Sequence, residues 1–293
     1  MAASGNSDPR WLGAALGLIL ALMAGELVVG LAANSLALLS DAGHLVTDAA
    51  ALGLALVALR LARRPPKGGF TYGLKRAEIL SAQANGITLL LLAAWLGYGA
   101  VRRLIEPPAV AGLPVLVTAL VGIVVNLAAT WCVSRAGGRN LNIRGAYLHL
   151  LTDLAAFVAT ALAGLLLVTT GFTRADPIAS LVVVALMLRA GVGLVRDSGR
   201  VLLEGAPVGL DPIRIGTEMA ALPGVAEVHD LHVWEISSGS PALSAHVLVA
   251  LSRDCHALRG ELEQMLRDQY QLTHTTLQVD HAPPSVYRIG PRP

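Results

Sequence analysis

Two pairs of ionisable residues lie inside long apolar stretches of the sequence. His44 and Asp48 are four residues apart in one stretch, and His149 and Asp153 are four residues apart in another. At this spacing the two side chains of a pair project from the same face of a helix. Two facing HxxxD pairs would supply two imidazole nitrogens and two carboxylate oxygens, a set that suits tetrahedral Zn²⁺.

The duplication of the pair favours a metal site over a structural role. An aspartate at the centre of a bilayer costs about 2.5–3.5 kcal/mol on insertion scales, so two of them without a purpose are not expected. The alternative is that each pair is a hydrogen-bonded unit between helices. Two carboxylates and one dication are neutral together, whereas the metal-free site would hold two negative charges. Protons should therefore replace the metal, which predicts a metal/proton antiporter.

Further polar residues lie within or beside the apolar stretches. Asp41, three residues before His44, is a candidate proton carrier or outer-shell group, or simply a polar residue near a helix start. Four more polar residues are expected to form hydrogen bonds between helices rather than to line the path of the ion. They are Glu26, Gln83, Asn85 and Asn126.

The composition predicts that these residues sit in a membrane. Hydrophobic residues make up 54% of the chain and charged residues only 14%, which is more apolar than a soluble domain tolerates. Six stretches approach or exceed the roughly 20 residues that a membrane-spanning helix needs. They are Trp11–Leu31, Leu36–Leu59, Ile79–Val101, Leu113–Val133, Ala146–Val168 and Ile178–Leu194.

The basic residues predict the orientation of the spans. They cluster in the second and fourth connectors and after the sixth span, which places both termini in the cytoplasm, although Arg102 and Arg103 count against this. We expect an integral protein of a bacterial cytoplasmic (inner) membrane. The net charge of +2 gives no basic stripe for nucleic acid.

The last third of the chain predicts a separate soluble domain. We place a six-span transmembrane domain at residues 1–205 and a cytoplasmic α+β domain at 206–293. Asp211-Pro212 begins a helix and Pro223-Gly224 ends it. Two strands, a helix and a last strand follow, which gives the order α-β-β-α-β. In the second strand, positions 243, 245, 247, 249 and 251 are predicted to face inward.

Several segments resemble the cation diffusion facilitator family. They are Asn34–Asp48 (NSLALLSDAGHLVTD), Phe70–Ile79 (FTYGLKRAEI), the second HxxxD and His229–Trp234 (HDLHVW). The resemblance covers nearly the whole chain. It implies six transmembrane helices, a cytoplasmic ferredoxin-like metal-binding domain, a homodimer in the lipid bilayer, and efflux of Zn²⁺, Cd²⁺ or Co²⁺ driven by inward proton flow. It implies no organic cofactor.

By position, the resemblance assigns His44, Asp48, His149 and Asp153 to the transport site. It also implies a second, regulatory zinc site in the cytoplasmic domain at His229, His246 and Asp280, with His232 and His256 as further candidates. Gln278 replaces a histidine found in some members, so one ligand of a two-metal arrangement is missing. Polar residues on one face of a half-buried sheet are also ordinary. The second connector lacks the Asp and His ligands of an extra surface site.

Arg76 and Glu204 lie at the predicted cytoplasmic membrane border. Similar proteins hold an interlocking charge pair at these places, which could hinge the two domains. Arg76 as an ordinary positive-inside anchor is the alternative.

Other functions fit the sequence less well. An intramembrane metalloprotease needs a general base beside an open metal position, typically HExxH, and the sequence has no such motif. A membrane-anchored metal sensor and a passive channel remain as alternatives. Metal uptake into vesicles distinguishes a sensor from a transporter, and uphill uptake driven by a pH gradient distinguishes a channel from a transporter. We therefore predict a secondary transporter and not an enzyme.

Overall fold

The computed structural model describes residues 9–32, 36–106, 112–136, 140–172 and 174–282. The chain divides into two compact units, one ending at Gly199 and the other beginning at Arg200. The first unit is helical. Its helices are α1 (Pro9–Ala32), α2 (Leu36–Ala62), α3 (Ala77–Ile105), α4 (Gly112–Arg135), α5 (Leu141–Thr170) and α6 (Ala175–Leu202), the last of which runs into the second unit.

These six helices occupy the positions of the six predicted spans. Within the described residues, each of α3, α4, α5 and α6 contains a helical segment that is long and apolar enough to cross a bilayer. Many of their large apolar side chains are exposed, including Trp95, Leu91 and Val124. Such apolar surface is unusual for a soluble protein and is expected where side chains face lipid. Crossing by all six helices stays a prediction.

Local signals explain both ends of α5, the helix that carries His149 and Asp153. Asn140 precedes α5 in an extended conformation, and its side chain accepts a hydrogen bond from the Asn142 backbone N–H, which is a helix N-cap. Gly171 ends α5 with φ of 71°, the left-handed conformation that glycine adopts without a steric penalty. Helix α5 therefore begins two turns before His149 and carries it well inside the bundle.

Two apolar clusters hold the helices of the first unit together. One joins α1, α2, α4 and α5 through residues such as Leu12, Leu52, Val133 and Leu150. The other joins α3, α5 and α6. Gly122 lets α4 approach α5, because a Cβ there would lie 2.3 Å from the ring of Phe157. Helix α5 takes part in both clusters and is the centre of this unit.

The second unit has the predicted order of elements. They are α7 (Pro212–Ala220), β1 (Val225–Ser237), β2 (Ser240–Val249), α8 (Cys255–Tyr270) and β3 (His274–His281). Strand β2 is central, antiparallel to β1 and parallel to β3. Asp211 caps α7 as predicted, its side chain accepting from the Ile213 N–H.

The inward alternation of β2 is confirmed at four positions and wrong at one. Leu243, Ala245, Val247 and Val249 are buried against α7 and α8. Leu251 is 65% exposed, because β2 ends at Val249 and the chain turns before it. The three described strands agree with part of a ferredoxin-like fold, and the full fold stays a prediction.

Candidate metal centre

Three of the four predicted transport-site residues meet inside the helical unit. Asp48 comes from α2, and His149 and Asp153 come from α5. Their candidate ligand atoms all lie within 4.8 Å of one another. Asp48 is 2% exposed, His149 1% and Asp153 9%. A histidine and two carboxylates thus share one buried site, as the HxxxD spacing on α5 predicts.

The imidazole Nε2 of His149 is the central atom of this group. It lies 3.0 Å from Oδ1 of Asp48 and 3.7 Å from Oδ2 of Asp153. At the first distance one atom must donate a proton to the other, so Nε2 donates when it is protonated. A metal ion bound at Nε2 would take the place of that proton. Metal and proton therefore compete for the same atom.

Two polar atoms of the group have no hydrogen-bond partner among the described residues, since 3.7 Å is too long for a hydrogen bond. They are Nδ1 of His149 and Oδ2 of Asp153. A buried polar atom without a partner is costly, and such atoms mark places where water or an ion takes part. The group is therefore not a completed structural unit of hydrogen bonds, which argues against the structural alternative.

A hydrogen bond outside the group fixes how α2 and α5 align. The buried Asn142 donates from Nδ2 to the backbone oxygen of Ala55 at 2.7 Å. Asn142 is seven residues before His149, and Ala55 is seven residues after Asp48. The two helices are therefore antiparallel, and two turns of each separate this bond from the site. Its role was not predicted, although its spacing of seven from His149 places it on the same helix face.

We expect Asn142→Ala to weaken zinc binding at the site by about 10-fold, within the range for loss of a group that orients a ligand. The substitution removes the hydrogen bond to the Ala55 oxygen, which fixes the position of α5 along α2 and so aligns His149 with Asp48. Isothermal titration of the purified protein measures this, with Arg144→Ala as the control because its exposed ion pair with Asp197 lies two residues away on α5. Equal weakening in both variants would contradict the account.

Two predicted residues of this region lie outside the described side chains. They are His44 and Asp41 on α2. The backbone of α2 is helical at both positions, so His44 is one turn before Asp48. The roles of both residues stay predictions.

The predicted cytoplasmic metal residues are partly brought together. His229 and His246 are cross-strand partners on β1 and β2, and their ring centroids are 5.4 Å apart. Asp280 on β3 pairs with Leu248 rather than with His246, and its carboxylate accepts a hydrogen bond from Gln278. In the described part of the chain, the ligand atoms of these residues do not form a group as tight as the one in the helical unit. Their role stays a prediction.

Asp230 is a carboxylate beside these histidines that the sequence reasoning missed. It lies where the register of β1 shifts, with φ of 51°. One of its oxygens accepts from Nε2 of His232 at 2.9 Å, and the other lies 3.9 Å from Nε2 of His246. The hydrogen bond from His232, and then the charge of that ring, hold the pKa of Asp230 below its usual value. The irregularity of β1 places Asp230 there, and simple alternation does not reveal it.

The remaining predicted residues are placed as follows. His256 is exposed in the first turn of α8. Arg76 precedes the first residue of α3, and Glu204 follows α6 with φ of 58°. Arg76 and Glu204 belong to different units, and their predicted charge interlock stays a prediction.

Comparisons with known proteins agree with the predicted family. The cation efflux transmembrane domain matches residues 12–203, and the cytoplasmic domain of cation efflux proteins matches residues 210–282. The cadmium, cobalt and zinc/H(+)-K(+) antiporter of Bacillus subtilis is 40% identical, over 87% of this chain and 83% of that one. The zinc transporter ZitB of Escherichia coli is 38% identical, over 95% of this chain and 89% of that one.

Two further matches come from Cupriavidus metallidurans. Its metal cation efflux system protein CzcD is 36% identical, over 95% of this chain and 88% of that one. A solved structure of the metal-bound C-terminal domain of CzcD is 35% identical and covers 24% of this chain and 97% of that one, with a TM-score of 0.23. Because the family matches extend over both units, the resemblance seen in the sequence is confirmed, and this chain is a membrane transport protein of the cation efflux family.

Proposed function

We propose that this chain exports divalent transition-metal ions, Zn²⁺ above all and also Cd²⁺ or Co²⁺, from the cytoplasm in exchange for protons. The observation that carries the proposal is the buried group of Asp48, His149 and Asp153. Imidazole nitrogen and carboxylate oxygen are ordinary zinc ligands. The names of two relatives, a cadmium, cobalt and zinc/H(+)-K(+) antiporter and a zinc transporter, support the same metal substrates.

His44 is proposed as the fourth ligand. Its place one turn before Asp48 repeats the spacing of His149 and Asp153, so each helix would contribute one nitrogen and one oxygen. The bound dication balances the two carboxylates. When the metal leaves, protons must return to the site, because two uncompensated negative charges in a low-dielectric interior are costly. Exchange of metal for protons follows from this charge balance, with Asp41 as a candidate proton carrier.

The proposed architecture extends the described one. Residues 1–205 would form a six-span transmembrane domain and residues 206–293 a cytoplasmic ferredoxin-like domain, with both termini in the cytoplasm of a bacterium and the spans in its inner membrane. The clustering of arginine and lysine in the second and fourth connectors supports this orientation. Arg76 and Glu204 would form a charge interlock at the membrane border.

The cytoplasmic domain is proposed to dimerise the chain and to bind a regulatory zinc ion. The match of residues 210–282 to the cytoplasmic domain of cation efflux proteins supports the first point. The paired rings of His229 and His246 support the second. Asp280 remains the proposed carboxylate ligand, although Asp230 is the carboxylate that the described contacts place against His246.

Uptake into vesicles tests the proposed function. Purified protein is reconstituted into liposomes whose interior is more acidic than the outside, and zinc is added outside. We expect zinc to accumulate inside beyond its external concentration and accumulation to stop when an ionophore collapses the pH gradient. Uptake that never exceeds equilibrium would indicate a channel, and no uptake at all would indicate a sensor.

His44→Asp should raise transport of Cd²⁺ relative to Zn²⁺. A carboxylate adds a harder oxygen and the option of bidentate binding, which raises the available coordination number and suits the larger ion. His44→Ala is the control and should reduce transport of both ions. The measurement is competitive uptake of the two metals into the same vesicles. An unchanged ratio in His44→Asp would place selectivity elsewhere.

The isolated tail, residues 207–293, should dimerise more tightly when zinc is present. Its own buried core, from Ile215 to Leu277, supports independent folding. Zinc bound at the paired histidines would link the two copies, and in the full chain the membrane domains raise the effective concentration of the tails. Light scattering with and without zinc measures this, with His246→Ala as the variant. A tail that stays monomeric in excess zinc would contradict the prediction.

A further inference from the structure

One face of α3 changes from polar to apolar along its length. Glu78, Ser81 and Asn85 are three and four residues apart, so they lie on the same face, and all three are buried. Further along this face, Leu89 and Ala93 are fully buried and apolar. The polar part is the part nearest the start of the helix.

The polar part of α3 lies against the first turns of α5. Asn140, the N-cap of α5, donates from Nδ2 to Oε2 of Glu78 at 2.5 Å. A Cβ placed on Gly145 of α5 would lie 3.6 Å from Nδ2 of Asn85 and 3.7 Å from Cα of Ala82. The starts of α3 and α5 are therefore side by side, with the amide of Asn85 at ordinary contact distance from Gly145. The tightest neighbour of this glycine is Leu194 of α6, whose Cδ2 would lie 3.1 Å from the added Cβ.

This polar face of α3 leads toward the metal centre. Gly145 is four residues before His149, which is one helical turn or about 6 Å along α5. The amide of Asn85 therefore lies beside the turn of α5 that precedes His149. Glu78, Ser81 and Asn85 thus follow one face of α3 from its start toward the turn of α5 that precedes His149.

Some polar atoms on this face of α3 and at the site lack hydrogen-bond partners. Oγ of Ser81, Nδ2 of Asn85 and Nδ1 of His149 are buried, and none has a partner among the described residues. Inside a membrane, buried polar groups are normally satisfied by protein or by ordered water. The interhelical hydrogen bond expected of Asn85 is therefore not found for its amide nitrogen, and water is the ordinary partner for such atoms.

The other side of the site is closed by apolar side chains. Leu89 and Ala93 of α3 pack with Val183 and Met187 of α6 and with Ala156 and Ala159 of α5. This cluster lies further along α3 and α5 than Asn85 and His149. A hydrated ion would meet polar atoms on the side of Glu78 and an apolar seal on the side of Leu89.

We propose that Ser81 and Asn85 line a hydrated access path between α3 and α5, along which water, protons and the hydrated divalent cation pass between the cytoplasm and His149. The assignment of this end to the cytoplasm rests on the proposed function and its topology. Glu78 and Asn140 stand at the entrance. Ser81 and Asn85 are positioning residues, which exchange hydrogen bonds with water as the ion approaches the imidazole.

Substitution separates this role from a structural one. Asn85→Leu replaces an amide, whose nitrogen has no partner among the described residues, by an apolar group of similar shape. A merely structural role therefore predicts little loss of stability and unchanged transport. The proposal predicts initial zinc transport slower by about tenfold, which corresponds to about 1.4 kcal/mol in the barrier. The equilibrium zinc affinity should stay within about twofold of wild type, a change well below 1 kcal/mol.

Two matched variants accompany Asn85→Leu. Asn85→Ser keeps a hydrogen-bonding group and should recover most of the rate. Ser198→Ala on α6 is the control for Ser81→Ala, because Ser198 is fully buried but bonded to the Leu194 oxygen of its own helix. Ser81→Ala should slow transport and Ser198→Ala should not. Wild-type rates in both Asn85→Leu and Ser81→Ala would overturn the proposal.

Chemical labelling tests the path without transport. In a Cys132→Ala, Cys255→Ala background, Asn85→Cys and Ser81→Cys should react with a small cationic thiosulfonate reagent added from the cytoplasmic side, and saturating zinc should slow the reaction. Ser198→Cys should stay unreactive. Reaction no faster at 81 and 85 than at 198 would overturn the proposal. If the wild-type chain moves no zinc, the proposed function fails, whereas the labelling still reports whether water reaches Asn85.

Discussion

Zinc transport should fall by more than about 100-fold in Asp48→Ala and in Asp153→Ala, because loss of even an outer-shell partner of a metal site costs about 10- to 100-fold. Each substitution removes a carboxylate whose oxygen lies within 4.8 Å of the other ligand atoms. The proteins should still fold and insert, since removing a buried carboxylate relieves an insertion cost of about 2.5–3.5 kcal/mol. Initial rates of zinc uptake into vesicles measure the effect.

The matched control for these variants is Thr170→Ala. Thr170 is on the same helix as Asp153, and its hydroxyl donates to the Leu166 oxygen one turn back on α5. It should transport at the wild-type rate. Expression, elution volume and thermal stability of all the variants should match wild type. Transport near the wild-type rate in either aspartate variant would refute the assignment of the site.

Zinc affinity should weaken as the pH falls, by about tenfold per pH unit for each proton that the metal displaces. The reason is the geometry at Nε2 of His149, which is 3.0 Å from one carboxylate oxygen and 3.7 Å from another. A proton that joins these atoms must leave before the metal binds. Lower pH therefore favours the protonated, metal-free site, and higher pH favours the bound metal.

Calorimetry between about pH 8 and pH 6 measures this linkage. Titrations in buffers of different ionisation enthalpy report the number of protons released with each zinc ion. A variant that keeps the histidine but lacks one carboxylate, Asp153→Ala, should release fewer protons. Release of no protons across the range would show that metal and proton do not compete for this site.

Much of the site could be predicted because the sequence pattern itself defines it. The HxxxD spacing places His149 and Asp153 on one face of a helix whatever the rest of the fold does. The cost of burying carboxylates in an apolar stretch then argues for a metal. Asp48 joins the pair because its own stretch carries the same pattern.

The alignment of one helix against another could not be predicted in the same way. It depends on side-chain packing and on bonds such as Asn142 to Ala55, which connect residues 87 positions apart. The close approach of Asn85 to Gly145 is likewise a property of the packed pair. From the sequence alone, a polar residue such as Asn85 is expected only to form an interhelical hydrogen bond. A functional role can be assigned to it only when its neighbours in the structure are known.

The cytoplasmic sheet illustrates a second limit. Alternation correctly predicts the buried face of β2, because its side chains follow the regular period of two. It fails to predict that Asp230 meets His246, since β1 has a register shift between His229 and His232. A bulge changes which side chains share a face, and the sequence alone does not mark it clearly.

The central claim is that zinc and protons exchange through Asp48, His149 and Asp153. The most direct test records both ions in the same vesicles, loaded with a pH-sensitive dye and a zinc-sensitive dye and prepared with no initial pH gradient. On addition of external zinc, the wild-type protein should move zinc inward and make the interior more alkaline at the same time, and Asp153→Ala should show neither signal. Zinc entry without a change in internal pH, or equal signals from wild type and Asp153→Ala, would contradict the account.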